Sequence, residues 1–447
     1  MRENALFWIW LSEALGAANR DFKTLIDLYE GPYELFHVEE EELDRVQNIS
    51  ERTRSALANK SLQRATEVMD CCERFGIGIL SYSDPQYPPA LRSIKTPPVL
   101  LYYRGTVPDF GSSLSIAMVG TRRMSAYGLQ SAYKISYELA AAGAVVVSGM
   151  AAGIDGVCAA ASLAAEGGTV AVLGCGLDVV YPKHHKKLME EISKRGLILS
   201  EYPPGTRPNS YHFPIRNRLI SGLSQGTVVV EAGLGSGSLI TAKEAILQGR
   251  DVFALPANVG SEGAEGTNGL LRDGARLVLG AQDILKPYQY VFAKVLKPER
   301  LAQAQTRSAA DFHYLERMGV IELTSKSKEP PSPVRAAEPE NLPKKRVASR
   351  KKTLDNRAEE EAAVKPSPQE AVAKAQCPMH APTPDETLSS LSAVQLEVLR
   401  AIPDDRAISA DALCGLGHPH GDVIAALTML EILGLVQKLP GALYTKS

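Results

Sequence analysis

Short apolar runs recur through the middle of the chain at Ser115 to Val119, Val145 to Val147, Thr169 to Leu173, Leu197 to Leu199, Thr227 to Val230, Val252 to Leu255 and Leu277 to Leu279. Between them lie stretches of helical pattern, at Leu129 to Ala142, Val157 to Glu166, His184 to Lys194 and Ile240 to Gln248. Runs of that length, rich in β-branched residues and free of polar alternation, are strands buried on both faces. Residues 112–290 are therefore expected to form an α/β domain with a doubly wound, mostly parallel sheet, which binds ligands at the carboxyl ends of its strands.

The flanks read differently. In residues 1–75, Leu25, Leu28, Leu35, Phe36, Leu43, Val46 and Leu57 fall at helical intervals and Gly31-Pro32 marks a break, which predicts a small helical domain. Residues 76–111 hold one short strand, Gly76 to Tyr82, and a proline-studded passage from Pro85 to Pro98, read as a connector lying against the sheet domain. A helical extension is expected over 291–325. Residues 326–386 carry many prolines and the clusters Lys344-Lys345-Arg346, Arg350-Lys351-Lys352 and Glu359-Glu360-Glu361. Such composition buries too little apolar surface to fold and predicts a disordered linker. Periodicity returns over 387–447 as helices at Ala393 to Ala401, Ala410 to Leu413 and Val423 to Leu433, followed by a hairpin, the order of a winged helix.

Charge narrows the function only slightly. With 49 basic and 51 acidic residues the chain is nearly neutral, so a nucleic-acid site must be a local patch. Its 6 cysteines, Cys71, Cys72, Cys158, Cys175, Cys377 and Cys414, form no C-x-x-C pair, the usage of a reducing compartment. Leu6 to Leu11 is apolar, but Glu13 follows without a small-residue cleavage site, so an amphipathic first helix is expected there and not a signal peptide. No run reaches the length of a membrane span, and a cytoplasmic protein is expected.

The chemistry collects at the strand ends. Phe213-Pro214-Ile215-Arg216-Asn217-Arg218 precedes the strand at Thr227, which empties into Glu231-Ala232-Gly233-Leu234-Gly235-Ser236-Gly237-Ser238 and a helix carrying Thr241. Guanidinium groups match phosphate forks, and a Gly/Ser-rich helix start offers unblocked N–H donors and a positive dipole end. The first strand leads into Gly120-Thr121-Arg122-Arg123, the second into Ser148-Gly149 and Gly153-Ile154-Asp155, the third into Gly174-Cys175-Gly176. Glycines there permit close approach of a ligand, and with Lys183 the arginines 122, 123, 216 and 218 are expected to form one positive rim suited to a polyanion. Tyr127, Tyr181, Tyr202, Tyr211 and Phe213 suit stacking on bases. Asp155, Asp178, Glu201 and Glu231 are read as orienters of the arginines, with a buried pair of Glu231 and one of Arg216 or Arg218 as a specific expectation.

Other chemistries find little support. Gly120 is not followed by a G-x-x-G spacing, the second strand ends in Ser148-Gly149 where a ribose-binding carboxylate belongs, and no G-x-x-x-x-G-K-[ST] occurs, so no dinucleotide or P-loop cofactor is expected. His184-His185 and Cys414, His418 and His420 lack companions at ligand spacing, and no metal is expected. No nucleophile, base and orienter set has convincing spacing, so no catalytic residue is assigned.

At these residues the chain resembles the DNA-processing DprA, or Smf, family of bacterial transformation. The likeness runs over about residues 78–290: Tyr87 to Leu91, Pro97 to Tyr102, Val119 to Arg122 with Tyr127-Gly128, Ser148 to Asp155, Tyr181-Pro182, Ser200 to Pro203, Phe213 to Ile220, Ser236 to Ala242, Gly249 to Pro256 and Gly274-Ala275. The resemblance implies an extended Rossmann-like domain that binds single-stranded DNA, forms a homodimer and hands the strand to the RecA recombinase, with no enzymatic activity. It also implies a SAM-like N-terminal helical domain and a winged helix at the C-terminus. Two positions depart from the family pattern: Ala159 stands where a His is usual, and Ala257 where a Gly is usual. The alternative relatives are nucleotide-hydrolysing Rossmann proteins of the lysine-decarboxylase-like group, whose Pro-Gly-Gly loop and catalytic Glu are only loosely echoed by Gly233 to Glu244. A basic rim longer than one nucleotide separates the two readings.

Overall fold

The computed structural model describes residues 2–261, 263–322 and 393–403, together with 408–413, 423, 426, 427, 430, 435–439 and 443–446. The linker expected over 326–386 with its charge clusters, Cys377, Cys414, His418 and His420 lie outside the described residues. The chain divides into two compact units, Met1–Ala337 and Glu338–Ser447.

In the first unit, helices α1 (Arg2–Leu15), α2 (Phe22–Leu28), α3 (Pro32–His37), α4 (Glu40–Arg45), α5 (Glu51–Ala58) and α6 (Gln63–Phe75) come first. Strand β1 (Gly78–Ser81), the short helix α7 (Pro89–Arg92) and β2 (Leu100–Gly105) follow. The α/β repeat then runs β3 (Ser115–Val119), α8 (Ala126–Ala141), β4 (Val145–Ser148), α9 (Ile154–Ala164), β5 (Thr169–Leu173), α10 (Lys186–Arg195), β6 (Leu197–Ser200), α11 (His212–Gly222), β7 (Gly226–Val229), α12 (Gly237–Leu247), β8 (Asp251–Ala254), α13 (Glu265–Arg272) and β9 (Arg276–Leu277). Helices α14 (Ala281–Leu285), α15 (Pro298–Gln305) and α16 (Phe312–Arg317) close the unit.

All of these strands form one nine-stranded sheet in the order β1-β2-β6-β5-β4-β3-β7-β8-β9. From β6 to β9 every pair is parallel, while β1 and β2 add an antiparallel edge. The 76–111 segment is thus more than a connector. Its prolines flank the strands and leave their ladders intact, and the buried Tyr87 hydroxyl donates to the Pro98 carbonyl at 2.8 Å, tying the proline passage down. The last strand is shorter than expected, Arg276–Leu277 in place of Leu277 to Leu279.

Strand residues alternate between two cores because side chains on a strand alternate faces. Ile116, Met118, Val146, Ala171 and Val228 enter one cluster, which also contains Trp8, Phe22, Leu25 and Leu57 of the N-terminal helices. Ala117, Val119, Val147, Val170 and Val229 enter the other, with Tyr87, Leu91, Leu219 and Ala242. Burial on both faces explains the unbroken apolar runs in the sequence.

Strand order reverses beside β3. The chain winds from β3 through β4 and β5 to β6 on one side, then crosses to β7, β8 and β9 on the other, so the loops after β3 and β7 leave in opposite directions and open a crevice at the carboxyl edge.

The second unit contains α17 (Ala393–Ala401), β10 (Ile408–Ser409), α18 (Ala410–Leu413), β11 (Val436–Leu439) and β12 (Leu443–Lys446). Its strands form an antiparallel sheet in the order β10-β12-β11. Val398, Ile402, Leu413, Val423, Leu427, Leu430, Val436 and Tyr444 make its own core. Most of the third expected helix, Val423 to Leu433, lies outside the described residues.

Candidate functional site

A cleft of about 1540 Å³ occupies the crevice at the strand reversal. Gly120 to Ser125 after β3, Gly233 and Gly235 to Ser238 after β7, and Pro256, Ala257, Asn258, Ser261 and Gly263 after β8 supply its walls, and α11 supplies Phe213, Arg216 and Asn217. The structure therefore gathers Gly120, Arg122, Arg123, Arg216, Asn217, Ser236, Gly237, Ser238 and Thr241 around one space. Ser148, Gly149, Gly153, Lys183 and Arg218 do not line it.

Helix α12 starts at this cleft. Ser236 takes extended dihedrals and its hydroxyl accepts the Ser238 N–H at 3.4 Å, while Asn217 donates to the Gly237 carbonyl at 3.2 Å. No space-filling side chain stands over Gly235 or Gly237, where an added Cβ would meet nothing within 4 Å. The Ser238 and Leu239 N–H groups are held within the turn by Ser236, so the start of α12 offers an anion its dipole and an unobstructed approach over Gly235 and Gly237.

The arginines divide into two kinds. Arg122 and Arg123 are exposed, and among the described residues neither has a carboxylate within salt-bridge distance. The Arg122 guanidinium lies 5.4 Å from the Phe213 ring centre, and Phe213 itself stacks on Tyr181 at 5.2 Å and 25°. Arg216 is only 4% exposed: its guanidinium donates to the Gly149 carbonyl at 2.9 Å and to the Val172 carbonyl, so it forms a wall of the cleft whose donors are already engaged. Arg218 points elsewhere, into a buried ion pair with Glu201.

Two expectations need correction here. The positive rim does not include Arg218, because helix α11 turns positions 216 and 218 to different sides, and Lys183, although exposed, stands outside the cleft. The buried partner of Arg218 is Glu201 and not Glu231. Glu231 instead accepts the backbone N–H of Ser125 at 3.0 Å.

The small strand-end residues outside the cleft support its floor. Ser148 donates its hydroxyl to the Met118 carbonyl at 2.7 Å. Gly149 donates its N–H to Asp155 at 3.1 Å, and a Cβ there would stand 2.6 Å from both that carboxylate and the Arg216 guanidinium, so glycine leaves room for both charged groups beside the backbone. Burial raises the Asp155 carboxyl above its ordinary range, opposed by the charge of Arg216. Gly153 has φ of +82° and would press a Cβ 2.7 Å from the Arg122 carbonyl. Asp178 accepts the Gly205 N–H at 2.8 Å and orients no arginine.

Of the aromatic side chains, Tyr181 and Phe213 line the cleft, as does Tyr127, which donates its hydroxyl to the Pro256 carbonyl at 2.8 Å. Tyr211 is 77% exposed, whereas Tyr202 is buried and stacked on His212. Sequence reasoning missed Pro208, Ser210 and the Asn258 and Ser261 loop that follows Ala257. Only the last had a legible signal, since it follows a strand end. Asn268 brackets Ala257 through both its backbone groups, at 3.1 and 2.9 Å, which fixes that loop with alanine at the position.

Among the described residues no group of three His, Cys, Asp or Glu could hold a metal, and no helix is long and apolar enough to cross a membrane. Residues 78–289 match the family of DNA recombination-mediator protein A. The DNA processing protein DprA of Bacillus subtilis is 42% identical over 211 residues, which cover 47% of this chain and 71% of that protein. Protein Smf of Synechocystis is 34% identical over 372 residues, covering 82% of this chain and 79% of its own length. The X-ray structure of DNA processing protein A from Streptococcus pneumoniae superposes with a TM-score of 0.56 at 34% identity, over 63% of this chain and 97% of that one. With an α/β sheet, a strand-end cleft and relatives matched over most of their lengths, the chain belongs to the DprA/Smf family of DNA-binding recombination mediators, which are not known enzymes.

Proposed function

We propose that the cleft grips the sugar-phosphate backbone of single-stranded DNA. The observation that carries this reading is the pair of exposed arginines, Arg122 and Arg123, on the same cleft as the open first turn of α12 and the Phe213 ring. Exposed guanidinium groups with no carboxylate partner among the described residues, together with the positive end of the α12 dipole, suit successive phosphates, and an aromatic face stacks on any base because every base has a π-face. Phosphate contacts then set affinity, and base preference is weak.

On this reading Gly120, Arg122, Arg123, Asn217, Ser236, Gly237, Ser238 and Thr241 contact the strand or shape its path. Arg216, Ser148, Gly149 and Gly153 support the floor. The family relationship supports a fuller role in the cytoplasm: a homodimer through the Rossmann-like domain that protects incoming DNA during natural transformation and loads RecA. It also supports reading the N-terminal helices as a SAM-like domain and residues 387–447 as a winged helix. Gel shifts of the purified protein on oligo-dT of increasing length, beside duplex DNA, test the central claim. Affinity that rises with single-strand length and exceeds that for duplex is the expected result, and equal or tighter duplex binding overturns it.

A further inference from the structure

The cleft contains a negative charge that a phosphate site does not need. Glu231, at the carboxyl end of β7, is 7% exposed and lines the same space as Arg122 and Arg123. A carboxylate beside bound phosphate repels it, so as a bare charge Glu231 lowers affinity. What it does instead is visible in its bonds. Its backbone carbonyl accepts the Thr121 N–H at 2.8 Å, and its side chain accepts the Ser125 N–H at 3.0 Å. One residue thus holds both ends of the segment whose middle is Arg122, Arg123 and Met124.

The surroundings are shaped to this carboxylate. A Cβ at Gly128, in the first turn of α8, would overlap one carboxylate oxygen, and a Cβ at Gly263 would overlap the other. Ser125 is also the N-cap of α8, with its hydroxyl accepting the Gly128 N–H at 3.0 Å, so the loop end, the helix start and Glu231 form one hydrogen-bonded unit. Among the described residues the two exposed arginine side chains have no carboxylate partner to orient them, and Arg122 has only the Phe213 ring beside it. Their common backbone segment is what can be fixed in advance, and fixing it reduces the ordering cost on binding.

We propose that Glu231 is a positioning residue for DNA binding, holding the Thr121 to Ser125 segment so that Arg122 and Arg123 stand ready at the cleft. The inference rests on the single-strand reading of that cleft. Glu231 touches no phosphate. It acts through the Thr121 and Ser125 backbone.

Fluorescence anisotropy of the full chain on labelled oligo-dT tests this, with circular dichroism melting for each variant. Glu231→Gln keeps an acceptor for Ser125 and removes the charge, so it binds as tightly as the wild type or more tightly. Glu231→Ala keeps the backbone bond to Thr121 but loses the Ser125 end of the clamp, and binds about tenfold more weakly, the scale of one hydrogen bond to a charged group. Gly128→Ala leaves Glu231 in place but displaces its carboxylate, and reproduces the loss even though alanine favours a helix over glycine. In an Arg122→Ala, Arg123→Ala background neither substitution weakens binding further, because the residues act as one unit. Should Glu231→Ala fail to fold, Gly128→Ala carries the test. Tighter binding by Glu231→Ala, unchanged binding by Gly128→Ala, or losses that add in the arginine-free background each overturn the proposal. A wild-type protein that ignores oligo-dT refutes the single-strand reading itself, whereas a binding wild type matched by Glu231→Ala refutes only the positioning role.

Discussion

One nitrogen of the Arg218 guanidinium meets both oxygens of Glu201, at 2.6 and 2.7 Å, and the same carboxylate accepts the Ala18 N–H at 3.3 Å. Both charged side chains are buried, at 6% and 5% exposure. The pair fastens helix α11 to the end of β6 and to the turn after α1. Removing one member strands the other charge in the interior, which costs about 3–5 kcal/mol. Arg218→Ala is therefore expected to melt well below the wild type while keeping the salt dependence of its DNA binding. A normal melting curve combined with a reduced salt slope would place Arg218 on the DNA instead.

The difference between Arg216 and Arg218 shows where sequence reading stops. The strands of the sheet were legible because burial on both faces leaves an unbroken apolar run, as in Thr169 to Leu173. Helix α11 is not among the helices the sequence pattern predicts, and nothing local in Arg216-Asn217-Arg218 says which guanidinium meets a carbonyl, a carboxylate or solvent. That depends on Val172 and Glu201, contributed by other strands. The same holds for β1 and β2, whose place in the sheet comes from pairing with each other and with β6. Glu231 was recognised as an orienter, but its partner is a backbone N–H, which carries no residue-type signal.

Arg122 carries the direct test of the cleft. Arg122→Ala is expected to weaken oligo-dT binding and to lower the slope of log affinity against log salt by about 0.7, the share of one phosphate contact on a single strand. Anisotropy titrations across a salt series measure both quantities. Unchanged affinity and slope would remove Arg122 from the phosphate path.

His185 provides a pH signature of stability. Its ring is buried, with Nδ1 3.1 Å from the Met150 carbonyl, and burial lowers its pKa to about 4. The folded state therefore keeps the ring neutral where the unfolded chain, with an ordinary value of 6.5, takes up a proton. The unfolded state binds more protons between those two values, so stability is full above the upper one and falls as pH drops toward the lower. The loss at pH 5 relative to pH 7.5 is roughly 2 kcal/mol from this group. Urea titrations of the wild type and His185→Asn at both pH values check it. A wild type and variant with the same pH dependence would show that His185 is not the responsible group.

Gly153 tests how the floor supports the arginine loop. Its backbone, at φ +82° and ψ −133°, is one that other residues rarely adopt, and the Thr121 and Arg122 carbonyls pack directly against it. Gly153→Ala is expected to cost about 1–3 kcal/mol from the backbone alone. Displacement of Arg122 should add a loss of DNA affinity that persists at temperatures where the variant is fully folded. Full affinity in a destabilised Gly153→Ala would confine its role to folding.

The C-terminal unit differs in its charge pattern along the sequence. Its expected third helix, Val423 to Leu433, taken with the preceding His420-Gly421-Asp422, contains Asp422 and Glu431 and no Lys or Arg, and its described members, Val423, Ala426, Leu427 and Leu430, are all buried. Phosphate contacts supply most of the non-specific affinity of DNA-binding domains, and this helix has none to offer. A winged helix that reads DNA relies on that element, so residues 387–447 are expected to serve protein contacts or to modulate the sheet domain. A chain ending near residue 325 should keep most of its affinity for oligo-dT. The isolated C-terminal unit, which has a core of its own, should bind duplex DNA poorly at physiological salt. Tight duplex binding by that unit in an anisotropy titration would reverse the assignment and make it a second DNA site.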